Sequence, residues 1–330
     1  MRITSNVMSV SWIPSEAIGG ATRLPFDLGI THYDDPPPDH IDDIDALHRA
    51  GAFRFANVLR AWVDVEGGEI VAVGQDGGGL ITSTLVKLGR RNLAFQPTAF
   101  PDLRPDPEWG PQSARFVQTA GGRPGIPAPR RVAHPPFVQL KGPTVWTTLA
   151  LTINSDGTTA FELAGASPFP RHWLYDHDGE LAAKAGLIDF KEWYVHAFGP
   201  HSPWGDEDSP AMTTTVESAL ERDLASSIMR GGTTPRFRKL EPGERLVEQG
   251  EPGNDVFLVL DGIVVVSVDG NEVAEFGPGA ILGERAILEE GRRTSTLTAT
   301  TKCRVAIAPA SDVDLAALAA LSEDHRKEDV

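Results

Sequence analysis

The sequence predicts a mainly β protein, of the α+β kind, built in two parts. Three observations predict it. Short apolar segments separated by Gly, Pro, Asn and Asp recur along most of the chain, which is the pattern of strands and not of long helices. After residue 236 the turn signals return about every eight to ten residues, the rhythm of a small antiparallel barrel or jelly roll. The composition also changes near residue 200, ahead of which most of the Pro, Trp and His fall.

A length of 330 residues suggests two domains. The reading places a β-rich domain at 1–205, a linker and helix at 206–232, and a second domain at 233–330. In the first part, Val145–Ile153 and Thr158–Leu163 flank Asn154-Ser155-Asp156-Gly157, a hairpin signal because Asp-Gly supplies the positive φ such turns need. Phe53–Val65 and Glu69–Val73 flank Glu66-Gly67-Gly68 in the same way. Trp173–Tyr175 and Glu180–Ala185 read as a third hairpin across Asp176–Gly179, and Asp42–Ala50 as a short helix. His196–Pro210 reads as a linker or an ordered loop. Thr213–Arg230 then puts Val216, Leu220, Leu224, Ser227 and Ile228 on one stripe of a helix, closed by Gly231-Gly232.

In the second part Val256–Leu260 and Ile263–Val268 are the clearest strands, with Leu297–Ala299 and Arg304–Ala308 following. Asp312–Lys327 reads as a final helix whose apolar positions are Val313, Leu315, Leu318 and Leu321. Cys303, in a strand, reads as a small core residue.

The totals exclude several classes. A formal charge of -16 opposes nonspecific binding to nucleic acid. One cysteine rules out an intrachain disulfide and a Cys-rich zinc site. The start lacks the basic and apolar regions of a signal peptide, and Val256–Val266 is too short and too interrupted to span a bilayer. These features point to a cytoplasmic location. About twenty residues follow Ala308, which leaves room for one helix where a DNA reader needs two. No kinase signature set and no P-loop occurs.

The first part offers few chemical candidates. His32, Asp34 and His40 have the residue types of metal ligands, but Asp- and His-bearing loops are usually only solvated, and no metal is expected. Arg171 and His172 beside Trp173 suit an anion or a sugar, against the simpler reading of a strand with one polar edge and a buried Trp. Gly121–Arg131 reads as an exposed loop and a candidate partner contact.

The informative stretch is Gly279–Thr296, GAILGERAILEEGRRTST. It closes an ordered series: Pro242-Gly243-Glu244, Gln249-Gly250-Glu251-Pro252-Gly253, Phe257-Leu258-Val259-Leu260-Asp261-Gly262, Gly277-Pro278-Gly279, Leu282-Gly283-Glu284 and Arg292-Arg293-Thr294. Over Arg236–Ala308 this series resembles the cyclic-nucleotide-binding domain of catabolite-activator regulators, kinase regulatory subunits and gated channels. The closing Arg-Arg-Thr-Ser-Thr is most similar to the channel version.

The resemblance implies a jelly roll with flanking helices and a ligand set of Gly283, Glu284, Arg285, Ala286, Arg293, Thr294 and Ser295. Each implied role suits its side chain. Gly283 admits the ligand close to the backbone. Glu284 accepts from a ribose 2′-hydroxyl. Arg293 matches phosphate oxygens with its planar fork. Thr294 and Ser295 add hydroxyls, Thr294 near the purine. Gly243, Gly253, Gly262 and Gly279 read as turn glycines and Arg292 as a solvated neighbour. Arg285 departs from the family, which more often has an apolar residue there.

The implied ligand is cAMP, with cGMP open because Thr294 suits either purine; no further cofactor is implied. The resulting expectation is a regulatory sensor that passes ligand binding to its N-terminal domain or a partner, either a protein or a second copy of the chain. The alternatives are an enzyme whose N-terminal domain is controlled by the roll, and a scaffold with a vestigial pocket. No family resemblance is read in residues 1–205.

Overall fold

A computed structural model describes residues 1–14, 34–88, 91–124, 129–131, 138–140, 144–167, 170–185, 213–214, 219–230, 235–288 and 291–328. The chain divides into two compact units, the bulk of the first running to Thr213 and the second from Thr214 to Val330. The architecture is mostly β, as the turn-punctuated sequence predicts.

The first unit is a sandwich of two antiparallel sheets. One places strands in the order Leu181–Ala185, Arg171–Tyr175, Arg2–Trp12, Phe55–Glu66 and Glu69–Ile81. The other orders Thr159–Ala166, Val145–Asn154 and Ser113–Arg123, with Thr98–Ala99 and Glu108–Trp109 both pairing with the last. All three expected hairpins form. The middle one is longer than its sequence signal, because Glu69–Ile81 continues through Gly77-Gly78-Gly79 while still paired with Phe55–Leu59. The short helix spans Ile44–Ala50, with the Asp43 carboxylate accepting from the Ala46 N–H as its cap.

The space between these sheets has two different halves. One is apolar, filled by Val7, Leu59, Ala61, Val63, Phe116, Leu149, Leu151 and Ile153. The other is polar and satisfied across the sheets. Ser9 and Thr147 share a hydroxyl bond of 2.8 Å. Asn57 Nδ2 donates to the Thr147 carbonyl at 3.0 Å, and Gln118 Nε2 donates to Asn57 Oδ1 at 2.7 Å. Fully paired groups of this kind tolerate one register only, since a slip leaves several buried donors unmet.

His172 belongs to this layer and is fully buried. Its Nε2 lies 2.8 Å from the Ser167 carbonyl, which can only accept, so Nε2 carries the proton and Nδ1 accepts from Ser11 Oγ at 2.7 Å. Burial pushes its pKa down to about 4. Stability is therefore complete above about pH 6.5, where folded and unfolded imidazoles are both neutral. It falls as the pH drops from there to about 4, because only the unfolded chain takes up the proton. About 3 kcal/mol is expected to be lost across this window. Denaturant melts at several pH values, compared with His172→Gln, check this; equal pH slopes in the two proteins would contradict it. Neither an anion nor a sugar reaches such a ring. His32 and His196 lie outside the described residues.

Asp34 and Arg54 form a buried bidentate ion pair, at 2.9 Å from Oδ1 to Nη2 and 3.0 Å from Oδ2 to Nε. Asp34 is thus a structural anchor and not a metal ligand. His40 is exposed, with its nitrogens 2.9 Å from Glu180 and 2.9 Å from Asp42. The expectation of an exposed loop over Gly121–Arg131 fails at its start. Gly121-Gly122-Arg123 ends the Ser113–Arg123 strand, and a Cβ on Gly122 would lie 2.3 Å from the Thr98 carbonyl oxygen. This glycine permits close strand packing and does not mark a loop. Pro129–Arg131 is also a strand, and 125–128 lie outside the described residues.

The second unit is a roll of two four-stranded sheets. The first orders Arg236–Leu240, Cys303–Pro309, Asp255–Asp261 and Ile281–Leu282; the second orders Arg245–Val247, Thr296–Ala299, Val264–Val268 and Asn271–Phe276. Phe257 and Val259 face the second sheet, packing with Leu240, Leu246, Val264, Leu297 and Cys303. Val256, Leu258 and Leu260 face the other way, onto helices. Burial on both faces explains why this strand reads as an unbroken apolar run.

The helices against that face are Ala219–Arg230 and Leu315–Glu328. The first begins later than its periodicity suggests. Thr213–Thr214 is extended, in keeping with a β-branched Thr-Thr-Thr run that resists helix. Its buried apolar residues are Leu224, Ala225, Ile228 and Met229, whereas Ser227 is exposed and off the stripe. Val216, the side chain of Leu220, Gly231-Gly232 and His196–Pro210 lie outside the described residues. The last helix starts at Leu315 and not at Asp312, which closes a 3-10 turn over Ala310–Asp312; Val313, extended ahead of the helix, and Leu318 and Leu321 within it are buried, whereas Leu315, the first helical residue, is exposed. No helix among the described residues is long and apolar enough to cross a membrane.

Candidate functional site

Between the second sheet of the roll and the Ile281–Leu288 segment lies a cavity of about 470 Å³. All seven residues named from the sequence line it: Gly283, Glu284, Arg285, Ala286, Arg293, Thr294 and Ser295. Two elements supply them. Glu284–Leu288 is a single-turn helix entered through Gly283 at φ +89°, a conformation that a side chain would strain. The Gly291–Ser295 segment is pinned to the Gly250–Gly253 turn by three backbone bonds: Gly253 N–H to Gly291 O, Arg293 N–H to Glu251 O, and Gly250 N–H to Arg293 O.

Glu284 and Arg293 are both buried, with 4% and 5% of their surfaces exposed. Arg293 Nη1 donates to the Asp255 carbonyl at 2.9 Å and to the Gly283 carbonyl at 3.3 Å. Its guanidinium carbon sits 4.6 Å from the centre of the Phe257 ring. Its Nε is buried and meets no hydrogen-bond acceptor among the described residues. Burial lowers the Arg293 pKa, opposed by the nearby charges of Asp255, Glu251 and Glu284. A guanidinium stays protonated regardless. The site therefore holds a fixed cation with unused donors.

One component was missed in the sequence. Gly253 is not merely a turn residue. A Cβ there would lie 2.4 Å from Arg293 Nε and 2.5 Å from Nη2. One on Gly283 would lie 2.7 Å from Nη1. The guanidinium thus occupies a slot walled by two glycines and the Phe257 ring. A long-range contact of this kind leaves no periodicity to read, although the glycine spacing was visible.

The opposite wall is apolar: Val247, Val266, Val268, Phe276 and Leu297, with Leu282 beside Gly283. Their alternation along adjacent strands was the available signal. Arg292 is exposed and donates to the Gly250 carbonyl at 2.8 Å. Cys303 is buried, its thiol donating to the Ile263 carbonyl at 3.1 Å. Among the described residues no group of three or more His, Cys, Asp or Glu could hold a metal. The arrangement suits a ligand with one anionic group, a neighbouring hydroxyl and a flat apolar face.

Residues 237–317 match the model of the cyclic nucleotide-binding domain family, so the C-terminal unit resembles that family, as its ordered motifs indicate. Among curated relatives, the potassium/sodium hyperpolarization-activated cyclic nucleotide-gated channel 4 of Oryctolagus cuniculus is 33% identical over 73 residues, 22% of this chain and 6% of the channel. The cAMP-dependent protein kinase regulatory subunit of Yarrowia lipolytica is 35% identical over 84 residues, 26% of this chain and 22% of the subunit. The chain therefore spans less than a quarter of the length of either relative. Among solved structures, the regulatory domain of Toxoplasma gondii PKA with cAMP is 21% identical with a TM-score of 0.29, covering 32% of this chain and 43% of that one.

Proposed function

We propose that the chain is a cytoplasmic cyclic-nucleotide sensor, that its C-terminal roll binds cAMP, and that binding is relayed through the flanking helices to the N-terminal unit or a partner. In this reading Arg293 takes the cyclic phosphate through Nε and Nη2. Glu284 accepts the ribose 2′-hydroxyl. Gly283 and Ala286 bring backbone close to the ligand, Thr294 and Ser295 offer hydroxyls, and the valine-rich wall covers the purine. Arg285 lines the same cavity.

The observation that carries the reading is Arg293: buried, held by two carbonyls, and with Nε meeting no acceptor among the described residues. Leaving such a donor unmet costs about 1–3 kcal/mol, a cost that an anionic ligand repays. The cavity volume of about 470 Å³ also falls within the roughly 300–1,000 Å³ of small-molecule sites.

A thermal-shift screen with cAMP, cGMP, 5′-AMP and 5′-GMP tests it. A ligand that binds only the folded state raises the melting temperature. The expected result is a saturable rise with cAMP at micromolar concentrations, about -8 kcal/mol of binding, and a smaller one with cGMP. No rise with either cyclic nucleotide would refute the reading.

The slot around Arg293 gives a second prediction. Gly253→Ala leaves the roll folded but displaces the guanidinium, so cAMP affinity falls by about tenfold or more, roughly 1.4 kcal/mol. Calorimetry on that variant checks this, and unchanged affinity would show the slot to be unimportant.

A further inference from the structure

On the Ala219–Arg230 helix, Leu224, Ala225, Ile228 and Met229 form the stripe buried against the roll. Continuing that stripe by one turn toward the N-terminus, at the i, i+3, i+4, i+7 and i+8 spacing, the next position is Glu221. A carboxylate there is out of place by pattern, and it is buried, 5% exposed. Burying a carboxylate is costly unless hydrogen bonds replace its water. Glu221 Oε1 accepts from the Ile281 backbone N–H at 3.1 Å.

Ile281 is itself fully buried in the helix-facing core. Its strand partner is Leu258, and two residues later in sequence comes Gly283, whose carbonyl accepts from Arg293. One short path therefore runs from the flanking helix to the cavity: Glu221, Ile281, Leu282, Gly283, Arg293. An apolar residue at position 221 would fit the stripe better. It would also leave the Ile281 N–H without an acceptor in an apolar setting.

We infer that Glu221 is a positioning residue of the cyclic-nucleotide site: its carboxylate ties the cavity's glycine segment to the Ala219–Arg230 helix, so that occupancy of the cavity is felt by the helix. The inference rests on the reading of the cavity as a cyclic-nucleotide site. Because coupling is reciprocal, cutting the tie must change both the helix's response to ligand and the affinity for ligand.

The test uses the full chain and its variants Glu221→Leu, which removes the acceptor, and Glu221→Gln, which keeps an acceptor oxygen. Calorimetry with cAMP gives affinity, and hydrogen exchange of the 219–230 peptide with and without cAMP gives the helix's response. In the unmodified protein cAMP is expected to alter exchange in that peptide. In Glu221→Leu the alteration is lost and affinity weakens by about tenfold, within the usual range of coupling. Glu221→Gln restores both. A residue that served only packing would lower the melting temperature without touching either readout. Should Glu221→Leu fail to fold, NMR of the unmodified protein decides: cAMP must move the Ile281 amide and the Leu224 and Ile228 signals with one titration midpoint. Binding without any helix response would overturn the inference, as would an unaltered response in Glu221→Leu. Neither result touches the ligand reading. Absence of cAMP binding by the unmodified chain would remove the ligand reading and this inference together.

Discussion

Arg293→Ala is expected to weaken cAMP binding by about 2–5 kcal/mol, roughly 30- to 5,000-fold in Kd. Truncation removes a cation held in the cavity wall by two carbonyls, leaving a desolvated phosphate without its partner. The same change has little effect on the fold. It gives up two bonds to the Asp255 and Gly283 carbonyls, but it also relieves a buried Nε that has no acceptor. The two effects offset to within about 1 kcal/mol. Large loss of binding with small loss of stability is the signature of a group kept for its ligand. Calorimetry and denaturant melts on one preparation measure both quantities. Binding within about threefold of the unmodified protein would mean that Arg293 does not hold the phosphate.

Arg54→Ala should behave in the opposite way. It leaves Asp34 buried and charged, with the Ile13 N–H at 2.8 Å still bonded to it. Breaking a buried pair from one side costs about 3–5 kcal/mol. For a unit of this size that is a fall of roughly 10 °C in melting temperature. Replacing both partners by apolar residues, Asp34→Leu with Arg54→Met, should recover most of the loss, since no charge then stays buried. Cyclic-nucleotide affinity should be unaffected in either variant. A single variant that melts like the unmodified protein would show the pair to be solvated in solution.

What the sequence discloses depends on how local the signal is. The hairpin across Asn154–Gly157 and the strand at Val256–Leu260 are written in adjacent residues, and both form. The seven cavity residues were named from contiguous motifs, and one wall brings them together. Contacts that close over long separations left no such trace. Met8 pairs with Tyr175, and Ser9, Asn57, Gln118 and Thr147 meet between sheets, yet each reads in isolation as an ordinary strand position. Gly253 reads as a turn until Arg293 is seen lying on it. Ser227 and Leu315 were placed on buried stripes because periodicity alone does not say where a helix first touches its core. Glu221 shows the reverse case. Its disagreement with the stripe was visible in the sequence, but its reason, the Ile281 N–H, was not.

In the proposed binding mode the Arg293 guanidinium takes the cyclic phosphate through Nε, which is buried and meets no acceptor among the described residues. The most direct measurement is the arginine Nε–H spectrum, with the Arg293 signal assigned by its disappearance in Arg293→Lys. Adding cAMP should move that resonance strongly downfield as Nε gains a charged acceptor, with the same midpoint as the calorimetric titration. A resonance that stays in place while cAMP saturates the protein would contradict the claim.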